Sequence, residues 1–234
     1  MHLRREQYAI VKASGLFQDL PRSASSHLLA AARARNFASR DIIFIEGDPA
    51  KEVFLLLSGR VKITKNSRNG EEVTLRLDSP GELIEELVFS PQGTRSSTAQ
   101  AAHQSCSMLV WRLATFQAAC EKSPPLQRNR QRILERRIRE LEQRFLELST
   151  VNVSPRVAQV LLRLRNQIGH KSNGQVQIDI QQQEVAQMTA TTIYTVSRLL
   201  SDWEQQGLVS KRRGSIIVRD YIGMSQLCST RKLN

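Results

Sequence analysis

Several side chains that can bind phosphate oxygens or base edges follow one another near the end of the chain. They are Thr192, Ile193, Tyr194, Thr195, Ser197 and Arg198. Short hydroxyl side chains suit phosphate groups, and an arginine can donate two hydrogen bonds to O6 and N7 of guanine. Arg198 is therefore the first candidate for a base contact, while Tyr194 or Ile193 could meet a thymine methyl group. Ile193 could equally pack inward and make no contact with a base.

The apolar residues of this stretch indicate the element that displays those side chains. They recur three or four positions apart, at Val196, Leu199, Leu200 and Trp203. This spacing predicts a helix over residues 193–206 with one apolar stripe and a polar opposite face. Thr192 can cap that helix, and a shorter helix over residues 181–188 precedes a break at Thr189–Thr191. Two helices joined by a tight turn in this way are typical of a helix-turn-helix.

A basic hairpin follows the second helix. Gly207 ends that helix, and Leu208–Ser210 and Ser215–Val218 predict two short strands. The tip between the strands is cationic and consists of Lys211, Arg212, Arg213 and Gly214. Helix, turn, helix and basic wing in this order predict a winged helix-turn-helix that binds DNA. The wing cations are then expected to meet the phosphate backbone beside the reading helix.

The distribution of charge agrees with a polyanionic partner. The chain holds 34 Lys and Arg against 22 Asp and Glu, a formal net charge of +12. Residues 154–234 carry 11 basic and 5 acidic side chains, whereas residues 1–123 carry 16 and 13. Phosphate contacts supply most of the non-specific affinity for nucleic acid, so the cationic C-terminal third favours double-stranded DNA.

The first half of the chain predicts two helices followed by many short strands. The helices cover Arg5–Ala13 and Ser23–Ala34. Strands are indicated within residues 41–48, 52–59, 60–64, 72–77, 97–102 and 107–112, and a small helical piece around Ile84–Val88. Pairs such as Asn69-Gly70 are strong turn signals between alternating strands. Short strands with regular turns predict a compact antiparallel β-roll.

A long helix beginning at Pro124 and Pro125 follows the strands. Its apolar residues repeat at spacings of four and three, at Leu134, Ile138, Leu141, Phe145 and Leu148. A narrow heptad seam of this kind, bordered by charged residues, predicts that two copies of the chain pair along it. A two-fold protein also matches a palindromic DNA site.

The remaining segments predict how the last domain begins and ends. Val151–Pro155 is interpreted as a hinge and Arg156–Ile168 as an amphipathic helix that Gly169 stops. His170–Gly174 is expected to be a loop, and Val176–Ile180 a strand that leads into the helix-turn-helix. The residues after Tyr221 show no clear period.

This order of elements resembles the CRP/FNR family of bacterial transcription regulators over almost the whole chain. The most specific matching segments are Ile45–Asp48, Leu56–Lys62, Pro80–Glu82, Glu86–Leu87, Arg95–Ser96 and Thr195–Leu200. The resemblance implies an α+β fold with a cyclic-nucleotide-binding-like antiparallel β-roll, a long dimerisation helix and a C-terminal winged helix-turn-helix. We place the effector-sensing roll at 1–123, the dimerisation helix and hinge at 124–153, and the DNA-binding domain at 154–234. The resemblance also implies RNA polymerase as a further partner.

The same resemblance marks an effector pocket. Its expected residues are Gly81, Glu85, Glu86, Arg95, Ser96 and Leu141. Cyclic-nucleotide binders pair an arginine with the cyclic phosphate and a carboxylate with the ribose, and Arg95 and Glu86 hold those positions here. The family's glycine before that carboxylate is replaced by Glu85, whose charge would repel a phosphate. Leu141 and Glu142 stand where cyclic-AMP binders place hydroxyl groups, so the sequence disfavours cyclic AMP.

Other effectors stay open. An iron–sulfur cluster is not expected, because it needs about four thiolates and residues 1–105 contain no cysteine. A haem could use His27, His103 or Cys106 as ligand, and Cys106 or Cys120 could be redox-active, although Cys106 on a predicted strand suits the core. With no C-x-x-C pair, neither a structural zinc site nor a disulfide framework is predicted.

Two other functions compete with that of a transcription regulator. One is an architectural or effector-independent DNA-binding protein whose roll only supports dimer assembly. The other is a hydrolase or transferase that uses Glu82, Glu85 and Glu86 as acid–base groups, but no nucleophile, metal-ligand cluster or phosphate loop accompanies them. We therefore expect no enzymatic activity. No signal peptide is recognisable and no apolar run approaches the ~20 residues of a membrane span, so a cytoplasmic protein is expected.

Overall fold

The structure, a computed structural model, describes residues 4–84, 93–172 and 175–228. The chain divides into two compact units. The first consists of Met1–Glu71 with Leu75–Glu140, and the second of Glu72–Thr74 with Leu141–Asn234. Among the helices within the described ranges, none combines the length and the apolar character that a membrane span requires.

The described residues up to position 150 form helices around two β-sheets. The helices are α1 (Arg5–Ala13), α2 (Arg22–Ala30), α3 (Leu113–Lys122) and α4 (Pro124–Thr150). The strands are β1 (Arg33–Phe37), β2 (Ile42–Phe44), β3 (Glu52–Ser58), β4 (Val61–Asn66), β5 (Glu72–Asp78), β6 (Leu83–Ile84), β7 (Thr98–Ala101) and β8 (Cys106–Arg112). The strand orders of the two sheets are β1-β8-β3-β6 and β2-β7-β4-β5.

The composition of β3 explains the layered core of the first unit. Alternate side chains of a strand point to opposite faces, and β3 is apolar at nearly every position. Val53, Leu55 and Leu57 join one buried cluster together with residues of α1, α3 and α4. Phe54 and Leu56 join a second cluster that includes residues of β2, β4 and β7. The sheet containing β3 is therefore covered by helices on one face and by the other sheet on the opposite face.

Trp111 ties α2 to this core. It lies on β8, is fully buried, and its Nε1–H donates to the carbonyl of Leu28 at 2.7 Å. Burying an indole is favourable when its N–H finds an acceptor, which the carbonyl of Leu28 in α2 supplies here.

The antiparallel roll predicted from the sequence is confirmed, with three local differences. The predicted second helix was too long at its C-terminal end, because Arg33–Phe37 instead pairs antiparallel with β8 and buries Phe37. Helix α3 was missed, and its burial of Phe116 and Cys120 places it against the core. Of the helical piece predicted around Ile84–Val88, Ile84 belongs to β6, and the rest lies outside the described residues.

The second unit holds the rest of the described elements. Its helices are α5 (Val153–Ile168), α6 (Gln182–Met188), α7 (Ile193–Gln205) and α8 (Tyr221–Cys228). Its strands are β9 (His170–Ser172), β10 (Gln175–Asp179), β11 (Val209–Arg212) and β12 (Ser215–Val218). The four strands form one sheet in the order β11-β12-β10-β9.

Here too the boundaries differ from those predicted. The predicted hinge ran to Pro155, but α5 begins at Val153 and includes that proline in its first turn, where its missing N–H costs little. His170–Ser172 is a strand that pairs with β10 rather than a loop. The predicted tail without a period contains α8, which buries Met224.

Candidate nucleic-acid interface and effector pocket

Local capping contacts shape the turn between α6 and α7. The N–H of Gln181 donates to Glu184 Oε2 at 2.9 Å, and the two residues complete a capping box at the start of α6. At the other end Thr189 Oγ1 donates to the carbonyl of Val185 at 2.7 Å. Ala190 then takes a positive φ of 45°, which turns the chain away from the helix.

Helix α7 presents the polar face predicted for it. Thr192 Oγ1 accepts the N–H of Thr195 at 3.2 Å, so the predicted N-cap is confirmed. Of the predicted apolar stripe, Val196, Leu200 and Trp203 are buried and Leu199 is half-buried. Because the stripe faces inward, the other side of the helix faces solvent.

The side chains proposed to contact DNA lie on that outer face to different degrees. Tyr194 is 83% exposed and Ile193 39%, so both side chains reach solvent. Arg198 is exposed, while Thr195 and Ser197 are half-buried.

The hairpin after α7 forms the predicted wing with a shorter tip, because Lys211 and Arg212 belong to β11 and pair with β12. Strands β11 and β12 pair antiparallel, and Arg213 and Gly214 form the two-residue turn between them. Gly214 has a φ of +74°, which a residue with a side chain adopts only with strain. Arg212 and Arg213 are exposed.

Two side-chain contacts at the wing were not predicted from the sequence. The ammonium of Lys211 points at α7, where it donates to Ser201 Oγ at 2.8 Å and lies 3.4 Å from Glu204 Oε2. Arg219, exposed just after β12, donates from Nη2 to Ser210 Oγ at 3.1 Å and was missed. Its only sequence signal is a basic residue immediately following the second wing strand.

Helix α4 has two distinct faces. One face belongs to the core of the first unit, where Leu126 and Ile133 are buried. Arg137 extends this face, and its Nη2 lies 3.0 Å from Oδ1 of the fully buried Asp78 and 2.6 Å from Glu82 Oε2.

The other face of α4 carries the predicted seam. Its residues are exposed by 55% at Ile138, 56% at Leu141, 70% at Phe145 and 43% at Leu148, while Leu134 is half-buried. Exposed large apolar side chains in a heptad pattern are unusual on a soluble surface unless a partner covers them.

Glu82 forms ion pairs with α4. Arg136 Nη2 also donates to Glu82 Oε2, at 2.8 Å, so two guanidinium groups flank the carboxylate. Burial raises the pKa of Glu82, and the charge of Arg137 opposes that effect. The geometry places Glu82 in an ion-pair network with Arg136 and Arg137.

Of the expected effector pocket, the structure describes Gly81, Arg95, Ser96 and Leu141, whereas Glu85 and Glu86 lie outside the described residues. Gly81 has a φ of +92° and its N–H donates to the carbonyl of Leu56 at 2.8 Å. Ser96, on the roll, and Leu141, on α4, are both exposed.

Arg95 is held within the first unit. Its side chain is 4% exposed, and Nη2 donates to the carbonyl of Glu52 at 2.8 Å. The guanidinium carbon lies 4.1 Å from the ring centroid of Phe44 and 5.5 Å from that of Phe54. These are distances at which the aromatic faces attract a cation.

The candidate haem ligands and redox thiols are divided between core and surface. Cys106 and Cys120 are buried, and burial raises the pKa of the Cys106 thiol to about 11 and raises that of Cys120. Such thiols are poor nucleophiles at neutral pH. His27 and His103 are exposed. Within the residues that the structure describes, no three His, Cys, Asp or Glu side chains are grouped to hold a metal ion.

The β-roll, the polar face of α7 and the basic wing together define a winged helix-turn-helix DNA-binding protein with an N-terminal β-roll domain. Comparisons with known proteins agree. Residues 34–123 match the cyclic nucleotide-binding domain, and residues 155–227 match the Crp-like helix-turn-helix domain. The chain belongs to the CRP/FNR family and is a transcription regulator with a helix-turn-helix DNA-binding domain.

The similar proteins cover nearly the full length. The cyclic AMP receptor protein of Thermus thermophilus is 30% identical over 210 residues, which are 90% of this chain and 94% of the relative. A CRP-like cAMP-activated global transcriptional regulator of Mycobacterium tuberculosis is 27% identical over 213 residues, 90% of this chain and 95% of the relative. The structure of the c-di-GMP responsive global regulator CLP of Xanthomonas campestris has the same fold. Its TM-score is 0.74 at 21% identity, covering 86% of this chain and 100% of the other.

The contacts of Arg95 predict that it stabilises the protein without any effector. Arg95→Gln is expected to lower the free energy of unfolding by about 2 kcal/mol, because it loses the aromatic contacts and weakens the bond to Glu52. Urea unfolding of the effector-free chain, followed by Trp111 fluorescence in a Trp203→Phe background, measures this loss in the first unit.

Ser96→Ala is the matched control for that measurement. Ser96 is the exposed neighbour, so its loss should change stability by no more than about 0.5 kcal/mol. Wild-type stability in Arg95→Gln would contradict the structural role and leave Arg95 to ligand binding alone.

Proposed function

We propose that this chain is a homodimeric, sequence-specific transcription regulator that binds a palindromic DNA site under the control of a small molecule or gas. The observation that carries the proposal is the exposed face of α7, with Tyr194 and Arg198, beside the cationic turn of the wing. In this proposal residues 1–123 sense the signal, 124–153 pair the two copies, and 154–234 bind DNA.

On DNA, α7 enters the major groove with its N-terminal half towards the bases. Arg198 donates to a guanine, and Tyr194 or Ile193 contacts a thymine methyl group. The hydroxyls of Thr192, Thr195 and Ser197 bind phosphates at the helix start. Arg212 and Arg213 reach the flanking backbone from the exposed part of the wing.

The seam of α4 supports the dimer. Two copies paired along Leu134, Ile138, Leu141, Phe145 and Leu148 cover apolar surface that the single chain exposes. A two-fold dimer places its two α7 helices on half-sites one DNA turn apart, about 10–10.5 base pairs from centre to centre. RNA polymerase is the further partner that a regulator of this family would recruit or block.

For the effector we propose a molecule other than cyclic AMP, although the relatives in Thermus thermophilus and Mycobacterium tuberculosis carry that ligand in their names. By the family resemblance Glu85 would add a second anion beside the expected phosphate seat, and Leu141 and Glu142 lack base-binding hydroxyls. Arg95, the expected phosphate partner, already has protein partners in Glu52 and the aromatic rings. A haem-bound gas remains among the candidates.

Selection of binding sites from random duplex DNA tests the function directly. The purified chain should enrich a palindrome whose half-sites lie one turn apart. An absorption spectrum of the same preparation would identify bound haem by its Soret band. Enrichment of bent or A·T-rich DNA without a palindrome would favour an architectural protein instead.

Substitution on the seam should separate the two copies. Leu141→Glu places a charge in the proposed interface and is expected to yield monomers in sedimentation equilibrium, since a buried unpaired charge is costly. Leu146→Glu is the matched control, because Leu146 is as exposed, at 55%, but lies about 140° away around the helix. Dimers that persist in both variants, or are lost in both, would rule out this seam.

Arg198 and Arg213 are expected to differ in what they contribute. Arg198→Ala should cost about 1–3 kcal/mol on the selected site and remove base preference at one position of each half-site. Arg213→Ala should weaken specific and random DNA alike and reduce the slope of log K against log salt by about 0.9 per lost contact. Fluorescence anisotropy across a salt series measures both, and equal behaviour of the two variants would contradict this division.

Cyclic AMP should leave the wild-type protein unaffected. Its addition is expected to change neither the affinity for the selected site nor the heat in isothermal titration calorimetry. Glu85→Gly removes the second anion and should allow measurable binding, whereas Glu85→Asp, which keeps the charge, should not. Tight binding of cyclic AMP to the wild type would overturn this exclusion.

A further inference from the structure

Lys211 makes a compact set of contacts with the recognition helix. Its backbone N–H donates to Glu204 Oε1 at 2.7 Å. Its ammonium donates to Ser201 Oγ at 2.8 Å and lies 3.4 Å from Glu204 Oε2. Backbone and side chain of one wing residue thus hold two side chains one turn apart on α7.

The contacts continue along the helix. Ser201 Oγ donates to the carbonyl of Ser197 at 2.9 Å. A chain of hydrogen bonds therefore runs from β11 through Ser201 to Ser197, one of the residues proposed to face DNA. The pKa of Glu204 is lowered chiefly by the N–H of Lys211 and further by its ammonium, which indicates an ionised carboxylate in this position.

The neighbouring cations differ from Lys211 in their surroundings. Arg212 and Arg213 are exposed, and Lys211 is only half-exposed. The Lys211 ammonium has three N–H donors. To bind a DNA phosphate as well, it would have to give up its contacts with α7 or use an N–H that those contacts leave over. From the sequence alone, all three residues are predicted to contact the DNA phosphate backbone.

We infer that Lys211 is a positioning residue that, with Glu204 and Ser201, latches the wing to the recognition helix and so sets the angle at which α7 meets the bases. This inference rests on the proposed DNA-binding function. It assigns phosphate contact to Arg212 and Arg213, and to Lys211 a role in specificity exerted through α7.

Salt dependence separates a latch from a phosphate contact. Lys211→Met and Glu204→Gln should each weaken binding to the selected site about three- to tenfold, and the double variant should lose no more than either single one. Affinity for random DNA and the slope of log K against log salt should stay unchanged. Arg212→Met, on the same strand, is the matched control and should reduce that slope by about 0.9 per lost contact and weaken both kinds of DNA.

The opposite changes in affinity and salt slope would reject the proposed positioning role of Lys211. If Lys211 binds phosphate, Lys211→Met lowers the salt slope, and Glu204→Gln strengthens binding because it releases the ammonium to DNA. Circular dichroism of each variant identifies a loss of fold. Only variants with the wild-type spectrum enter the comparison, and Ser201→Ala, which removes one partner of Lys211 without changing the charge, replaces any variant that does not fold.

A measurement without DNA distinguishes failure of the latch from failure of the proposed function. In the full chain with ¹³C-labelled glutamate, the pKa of Glu204 should rise part of the way in Lys211→Met, which removes the ammonium but keeps the backbone N–H of residue 211, and it should stay unchanged in Arg212→Met. An unchanged pKa in Lys211→Met would reject the latch, whatever the DNA results. A wild type that selects no sequence would reject the proposed function, while the shift in pKa would still show the contact.

Discussion

Burial of one apolar stripe on α7 decides which side chains of this helix face solvent and are available for the proposed DNA contacts. Val196, Leu200 and Trp203 lie in the interior, and on a helix of 3.6 residues per turn this leaves Tyr194 and Arg198 outside. The N-cap at Thr192 fixes where the helix begins, and thereby which residues occupy its first turn. The proposed DNA-reading surface is therefore a consequence of packing on the opposite side of the same helix.

Helix α4 also has one buried face and one exposed face. Its first half buries Leu126 and Ile133 and adds the ion pair between Arg137 and Asp78, while the seam residues from Ile138 onward stay exposed. One end of the helix is thus anchored in the core of the first unit, while its apolar seam is left uncovered in the single chain. Loss of one partner of a buried ion pair is strongly destabilising, so the pair between Arg137 and Asp78 should hold α4 firmly against the first unit.

The sequence predicted most of what depends on local pattern. Helix α1, the strands β3 and β8, the capped helix α7 and the two-stranded wing all follow from periodicity, capping residues and turn pairs. It failed where a partner far along the chain decides the outcome. Arg33–Phe37 has the composition of a helix end, yet it is a strand because β8 offers it a free edge.

The functional surfaces likewise depend partly on local sequence pattern and partly on contacts between distant residues. The order of elements, the outward face of α7 and the exposed heptad seam were determined by the sequence itself, because amphipathic spacing decides which side of an element can be buried. Only the tertiary structure decided the partners of Arg95 and Lys211, one held by Glu52 and two aromatic rings, the other by Ser201 and Glu204. A charged side chain is long and can turn in several directions, so its partner depends on which surfaces folding brings within reach.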